Sequence, residues 1–155
     1  MLLMTIIAIT ATQAQQKVTL AQCQGDTVAY VKKNFVEGKT RFIGQPFSKA
    51  IKEWKSQIPI NRIIFGDTGS WPSDENQQHL VTDASLYFTP ESVINLRGLR
   101  KEPYCVITFT FEPPYRQKFR TLWEIKEQEG VPFGPRLYEQ IKDYIVKDVF
   151  FLEMK

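Results

Sequence analysis

The sequence has few of the side chains from which metal and nucleophilic centres are usually built. Its 155 residues include one histidine, His79, and two cysteines, Cys23 and Cys105. A single histidine cannot supply a multi-histidine zinc site, and cysteines this far apart lack the paired local spacing of structural zinc ligands. We therefore expect neither a metal ion nor another cofactor.

The signature motifs of several common enzyme classes are also missing. The sequence contains no Gly-x-Ser-x-Gly elbow, no glycine-rich phosphate loop ending in Lys-Ser or Lys-Thr, and no dinucleotide-binding fingerprint. These absences argue against an elbow-type serine hydrolase and against a nucleotide-binding enzyme.

The excess of positive charge is small. Lys and Arg number 20 and Asp and Glu 17, which gives a formal net charge of +3. A nucleic-acid-binding domain is usually more basic, with its Lys and Arg gathered on one face, so we expect no nucleic-acid partner. The composition is otherwise ordinary for a soluble globular domain, and no block of residues recurs along the chain.

A long hydrophobic run is absent, but a short one stands at the N-terminus. Residues 1–10 are almost wholly apolar, and the first charged side chain is Lys17. This run is about half the length that a membrane-spanning helix needs. We therefore do not expect an integral membrane protein.

The residues after this run are typical of a secretory signal. Thr12 and Ala14 place small side chains where signal peptidase requires them for cleavage before Gln15. The pattern predicts a signal peptide over 1–14 and a single exported domain over 15–155, in the periplasm or outside the cell. A buried first strand is the alternative interpretation of the apolar run.

An oxidising compartment would favour a disulfide bond between the two cysteines. Cys23 and Cys105 would close a long loop, and such a cross-link stabilises a protein by restricting its unfolded chain. We predict this disulfide. Two separate buried thiols are the alternative, because spacing in the sequence does not show whether the two Cα atoms approach each other.

Hydrophobic periodicity predicts helices towards both ends of the chain and strands between and after them. Asp26 is suited to cap a first helix, and Gly38 to end it in the left-handed conformation. Further helices are predicted over 46–55, over 116–128 and from Gly134-Pro135 onward. Strands are predicted over 58–65, 80–88, 104–111 and 145–152. This order favours an α+β fold, in which an antiparallel sheet of about four strands packs against N-terminal and C-terminal helices.

One short motif points to catalysis. Asp67-Thr68-Gly69-Ser70 follows an apolar strand and resembles the Asp-Thr-Gly-Ser motif of the pepsin-like and retroviral aspartic proteases. The resemblance implies that Asp67 would be one of two carboxylates that share a proton across a catalytic water. Because the chain has one copy of the motif, the second carboxylate would have to come from a homodimer. A simple turn built from Asp, Gly and Ser is the alternative.

The motif opens a long polar segment with an aromatic residue in it. Residues 66–79 have little apolar content beyond Trp71. Long polar loops that carry one large aromatic side chain are frequent interaction sites, so we predict that Trp71 contacts a partner. In the alternative interpretation, Trp71 folds back to cover the core.

Basic side chains are concentrated in two parts of the sequence. Residues 30–55 contain seven basic and two acidic residues, and the predicted solvent face of the second helix carries Lys49, Lys52, Glu53 and Lys55. The interpretation that requires no specific function is a solvated surface that attracts acidic segments of the same chain.

The second basic region lies before the third predicted helix. Arg116, Lys118 and Arg120 alternate with aromatic and polar residues there. Guanidinium groups match the geometry of oxyanions, so this stretch is a candidate site for phosphate or sulfate groups on a glycan or a lipid surface.

The sequence as a whole favours a binding module over an enzyme. We predict an exported, non-catalytic domain that binds a protein, a glycan or an envelope component, with Trp71, Arg116 and Arg120 as candidate binding residues. A homodimeric aspartic protease that uses Asp67 is the alternative function. A small-ligand carrier with a pocket between sheet and helices is a third, and the sequence specifies neither one ligand nor an oligomeric state.

Overall fold

The structure, a computed structural model, describes residues 17–69, 79–90, 92–95 and 104–154. The predicted signal peptide over 1–14 therefore lies outside the described residues, and so does Trp71. The helices and strands reported below all belong to the described ranges.

Two helical segments precede the sheet. The first, α1, spans Thr27–Val31 and runs on into a π-helical turn over Lys32–Glu37, and α2 spans Phe47–Lys55. The carboxylate of Asp26 accepts a hydrogen bond from the backbone N–H of Ala29 at 3.0 Å. Asp26 therefore caps α1, as the sequence predicts.

Gly38 ends this first helical segment, but not in the predicted left-handed conformation. Its φ angle is −84°. The residue is buried, and a Cβ atom added there would collide with the backbone carbonyl oxygen of Asn34. Glycine is therefore required by close packing against the preceding turn, and the prediction of a left-handed residue was wrong.

Four antiparallel strands form one sheet in the order β1-β2-β3-β4. Their bounds are Arg62–Asp67 for β1, Val81–Tyr87 for β2, Tyr104–Phe111 for β3 and Val146–Met154 for β4. Each strand pairs with the next along the chain. Together with the helices, this sheet confirms the predicted α+β fold.

Strand β1 begins and ends later than predicted. Ile58 closes the end of α2 instead, because its N–H donates to the carbonyl oxygen of Trp54 at 3.1 Å, and residues 59–61 lie between the helix and the strand. The indole N–H of Trp54 then donates to the carbonyl oxygen of Pro59 at 3.2 Å. At its other end β1 continues through Asp67, where the register with β2 shifts.

Two further helices connect β3 to β4. The helix α3 spans Phe119–Glu129 and ends at Gly130, whose φ of 60° is left-handed. The helix α4 spans Pro135–Ile141 and has Pro135 in its first turn. No helix within the described ranges is long and apolar enough to cross a membrane.

The main hydrophobic core lies between one face of the sheet and the helices. Phe109 of β3 stands at its centre, with its ring centroid 6.2 Å from that of Phe35, 6.5 Å from that of Phe42 and 5.2 Å from that of Phe47. All four rings are fully buried, as is Trp54 of α2. Aromatic pairs at such distances add stabilisation beyond the area that they bury. The N-terminal helical segments are thus held to the sheet by a cluster of aromatic rings.

Candidate functional site

The carboxylate of Asp67, the residue that the protease resemblance singles out, is bonded within its own chain. One oxygen, Oδ1, accepts the backbone N–H of Gly69 at 2.7 Å, and the other, Oδ2, lies 3.3 Å from Nδ1 of His79. A Cβ atom at Gly69 would collide with the imidazole of His79. These contacts are those of a tight turn in which Asp closes a hydrogen-bonded ring with the backbone two residues on.

The next residue of the motif fixes this turn to β2. The backbone N–H of Thr68 donates to the carbonyl oxygen of Leu80 at 3.0 Å, and the N–H of Leu80 donates to Oγ1 of Thr68 at 3.1 Å. Ser70 lies outside the described residues. Within the described part of the motif, the polar atoms therefore hold the end of a β-hairpin.

A second carboxylate, that of Asp83, lies on β2 opposite Gly66. Its Oδ1 accepts the N–H of Gly66 at 3.2 Å, and its Oδ2 accepts the hydroxyl of Thr82 at 3.0 Å. Each of the two carboxylates thus has its own hydrogen-bond donors. The paired arrangement that an aspartic protease needs would still require a second chain.

The predicted binding residues lie in different surroundings. Trp71 falls outside the described residues. Arg120 is highly exposed and forms an ion pair with Glu124, four residues later on α3, with Nε 3.0 Å from Oε1. The charge of Arg120 is therefore partly balanced on its own helix.

Arg116 follows the turn after β3 and is exposed. Its backbone N–H donates to the hydroxyl of Tyr144 at 2.8 Å, which fixes the chain at this point. A small cavity beside it, of about 200 Å³, is also lined by Glu112, Glu139 and Asp143. These acidic neighbours make the surroundings of Arg116 a poor anion site, and the structure does not bring Arg116 and Arg120 together in one cavity.

Cys23 and Cys105 both lie among the described residues, and no disulfide bond joins them. Cys23 is buried in the main core, and Cys105 packs against the same cluster from β3. The predicted disulfide is therefore not present in this structure and stays a prediction for the oxidised protein.

A basic groove that the sequence does not predict lies between α2 and α4. Its volume is about 730 Å³. We call it the lysine groove, and it is lined by Ser48, Lys49, Ile51, Lys52, Lys55, Ser56 and Tyr138. The three lysines follow one another at intervals of three residues, which places them side by side on one face of α2.

Neighbouring side chains orient two of these lysines. The ammonium nitrogen of Lys55 lies 4.8 Å from the ring centroid of Phe133 and 5.9 Å from that of Tyr138. Such cation–π contacts hold a cation in place without neutralising it. The ammonium group of Lys49 donates to Oε1 of Gln45 at 3.4 Å, which again leaves its charge unbalanced.

The acidic residues on the two helices that form the groove pair with basic residues outside its lining. Glu53 of α2 pairs with Arg41 at 3.1 Å and with Lys17 at 3.6 Å. Glu139 of α4 pairs with Lys142 at 2.7 Å. Within the described part of the chain, none of the three groove lysines forms an ion pair. As far as the described ranges go, the positive charge of the lysine groove is therefore not balanced by an ion pair.

A further carboxylate near the groove stabilises the start of α4. Oε1 of Glu129 accepts the backbone N–H of Arg136 at 2.7 Å, and Oε2 accepts that of Leu137 at 3.2 Å. These bonds satisfy two of the amides that a helix leaves open at its N-terminus. Glu129 thus fixes the helix that forms the far wall of the lysine groove.

The comparisons give no relative from which a function could be transferred. No family model matches the sequence, and neither a curated protein nor a solved structure shows a significant match to it. The functional argument therefore rests on the geometry and charge of this chain.

Proposed function

We propose that this protein is an exported, non-catalytic domain that binds an anionic ligand through the lysine groove. The observation that supports this proposal is the row formed by Lys49, Lys52 and Lys55 in a groove whose lining contains no carboxylate. Clefts lined by one sign of charge attract and concentrate ligands of the opposite sign. The chemistry that such a groove recognises is a ligand with several phosphate, sulfate or carboxylate groups.

The fold supports a binding role because the groove is built on fixed elements. The lysines stand on one turn after another of α2, whose opposite side carries the buried rings of Phe47 and Trp54. The far wall, Tyr138, belongs to α4. Sites on packed helices keep their geometry better than sites on loops.

The first test compares two triple variants that lose the same charge. In the first, Lys49, Lys52 and Lys55 are each replaced by Gln. In the second, the exposed residues Lys33, Lys118 and Lys147, which lie on other elements, are each replaced by Gln. Binding of inorganic polyphosphate and of vesicles with anionic headgroups would be measured for both by calorimetry at low salt.

We expect the groove variant to bind the preferred anion about ten- to a hundredfold more weakly than wild type. A lysine close to an anionic surface contributes on the order of 1 kcal/mol, and each 1.4 kcal/mol corresponds to about tenfold in affinity. The control variant should lose much less, and added salt should weaken binding by wild type. Equal affinities for the two triple variants would refute the lysine groove as the binding site.

Export is the second part of the proposal and has its own test. It is supported by the apolar run over 1–10 and the small side chains at Thr12 and Ala14. Mass spectrometry of protein from its native host should find a mature chain that starts at Gln15. Soluble intracellular protein that retains Met1 would contradict it.

A further inference from the structure

A second groove lies between the C-terminal end of α3 and the start of β1. Its volume is about 380 Å³. Trp123 lines it with 51% of its surface exposed, and Val131, on the opposite side of the turn at Gly130, is 46% exposed. We call it the tryptophan groove. An indole this exposed presents part of its flat apolar surface to solvent.

Hydrogen-bonding groups of both kinds surround the indole. Lys126 supplies donors, and Glu127 supplies carboxylate acceptors. The side-chain N–H of Asn61 donates to the carbonyl oxygen of Phe88 at 2.7 Å, which fixes the Asn61 amide at the edge of the groove. The ammonium nitrogen of Lys126 lies 5.1 Å from the Trp123 ring centroid.

This combination matches the chemistry of a sugar ring. A pyranose has an apolar C–H face, which packs on an aromatic ring, and hydroxyl groups that both donate and accept hydrogen bonds around its edge. Grooves with an aromatic surface and a few placed polar groups are typical small-ligand sites. A ligand that carries only charged groups has no apolar surface to pack on the indole.

The two grooves adjoin each other along the chain. Pro132 lines the tryptophan groove, and the next residue, Phe133, lies under the ammonium group of Lys55 at 4.8 Å. The ring of Phe133 also contacts that of Tyr138, with 6.0 Å between centroids, and Tyr138 lines the lysine groove. Phe133 therefore links a residue that follows the lining of the tryptophan groove to two residues that line the lysine groove, which makes the two grooves neighbours in the fold.

We propose that the tryptophan groove binds a sugar ring and that the ligand of this protein is an acidic polysaccharide lying across both grooves. This inference rests on the proposed anion-binding function of the lysine groove. Single-stranded nucleic acid also combines charge with stacking rings. It is disfavoured because strand-binding proteins stack successive bases on several aromatic side chains and because this chain has a net charge of only +3.

Three probes separate the contribution of the ring from that of the charge. Dextran sulfate oligomers carry both, dextran oligomers of the same length carry sugar rings alone, and polyphosphate carries charge alone. The variant is Trp123→Ala in the full-length protein. The control is Phe150→Ala, because Phe150 is an aromatic residue of similar exposure, 45%, on β4.

Wild type should bind dextran sulfate more tightly than polyphosphate. Trp123→Ala should weaken dextran sulfate binding about two- to tenfold and leave polyphosphate binding unchanged, since aromatic contacts contribute about 0.5–1.5 kcal/mol. Phe150→Ala should change neither. An unchanged affinity of Trp123→Ala for dextran sulfate, an equal loss for both polyanions, or tighter binding of a single-stranded oligonucleotide than of dextran sulfate would each overturn the inference.

Spectroscopy on the wild-type protein makes the test independent of any folding defect in the variant. Addition of neutral dextran should shift the indole N–H resonance of Trp123, which is assigned by its loss in Trp123→Phe. No shift at saturating dextran would overturn the sugar site. The proposed anion site fails separately, if the triple lysine variant binds polyphosphate as wild type does.

Discussion

The two faces of the sheet differ in how completely they are covered. On the helix-facing side, the ring of Phe109 is fully buried among Phe35, Phe42 and Phe47. On the other side, Phe150 and Leu152 of β4 are 45% and 46% exposed. Successive residues of a strand point to opposite faces, so the same strands build both surfaces.

This difference shows where the stability of the fold resides. The second face has its own small cluster, in which Tyr87, Ile94 and Val106 are buried. It is far smaller than the main core, which runs from Cys23 to Val149. The helix-facing side therefore holds most of the buried apolar area, whereas substitutions on the second face should be well tolerated.

The largest expected effect on the free energy of unfolding comes from removing an aromatic ring from the main core, with removal of a ring from the second face as the comparison. Phe109→Ala should lower the free energy of unfolding by about 3–5 kcal/mol, because it leaves a cavity among packed rings. Phe150→Ala on the adjacent strand should change it by less than about 1 kcal/mol. Urea denaturation followed by circular dichroism measures both. A similar loss in the two variants would contradict the contrast between the faces.

A smaller effect is expected from the buried amide that ties the N-terminal chain to the helical layer. Asn34 is 1% exposed. Its Oδ1 accepts the N–H of Val18 at 3.0 Å, and its Nδ2 donates to the carbonyl oxygens of Val18 at 2.9 Å and Tyr30 at 3.2 Å. Asn34→Ala removes these three hydrogen bonds from a buried site and should cost about 1–3 kcal/mol.

The control for Asn34 is an exposed amide nearby. Gln24 follows a short 3-10 helix over Ala21–Cys23, and its side chain is exposed, so Gln24→Ala should leave the unfolding free energy nearly unchanged. Hydrogen exchange of the Val18 amide gives a local readout, because Asn34→Ala should speed it relative to the core. Unchanged protection at Val18 would show that Asn34 does not hold the N-terminal chain.

The sequence predicts those parts of the fold that depend on neighbouring residues better than those that depend on contacts between elements. Strand β3 begins and ends where predicted, because its β-branched and aromatic residues alternate and Pro113 stops the ladder. The helix cap at Asp26 is equally local. Residues 58–61 were predicted wrongly as strand, because the N–H of Ile58 and the carbonyl oxygen of Pro59 both form hydrogen bonds with Trp54 of α2.

The candidate site was less predictable than the fold. The sequence places Lys49, Lys52 and Lys55 on a solvent face, but the groove exists only because Tyr138, more than eighty residues later, packs opposite them. The Asp67 motif gave the opposite problem. Its sequence resembles a catalytic motif. In the folded chain, however, the carboxylate of Asp67 accepts a backbone N–H and lies beside the imidazole of His79, as in a structural turn.

The smallest expected effect lies on the second face and depends on pH. The ammonium group of Lys39 donates to Oδ1 of Asp148 at 2.8 Å, and this hydrogen bond lowers the pKa of Asp148 below its ordinary value of 3.8. A lowered pKa in the folded state means that the pair stabilises the fold above the ordinary pKa and loses this contribution as pH falls through the folded pKa. The pair is partly exposed, so its contribution should be under about 1 kcal/mol. Asp148→Asn should therefore be slightly less stable than wild type at pH 7, and the gap should close as the pH falls through the lowered pKa of Asp148. In a protein that already carries Lys39→Gln, adding Asp148→Asn should change the stability at pH 7 by less than it does in wild type. Thermal unfolding measures these differences. A difference between wild type and Asp148→Asn that persists unchanged at low pH would show that this ion pair does not stabilise the second face.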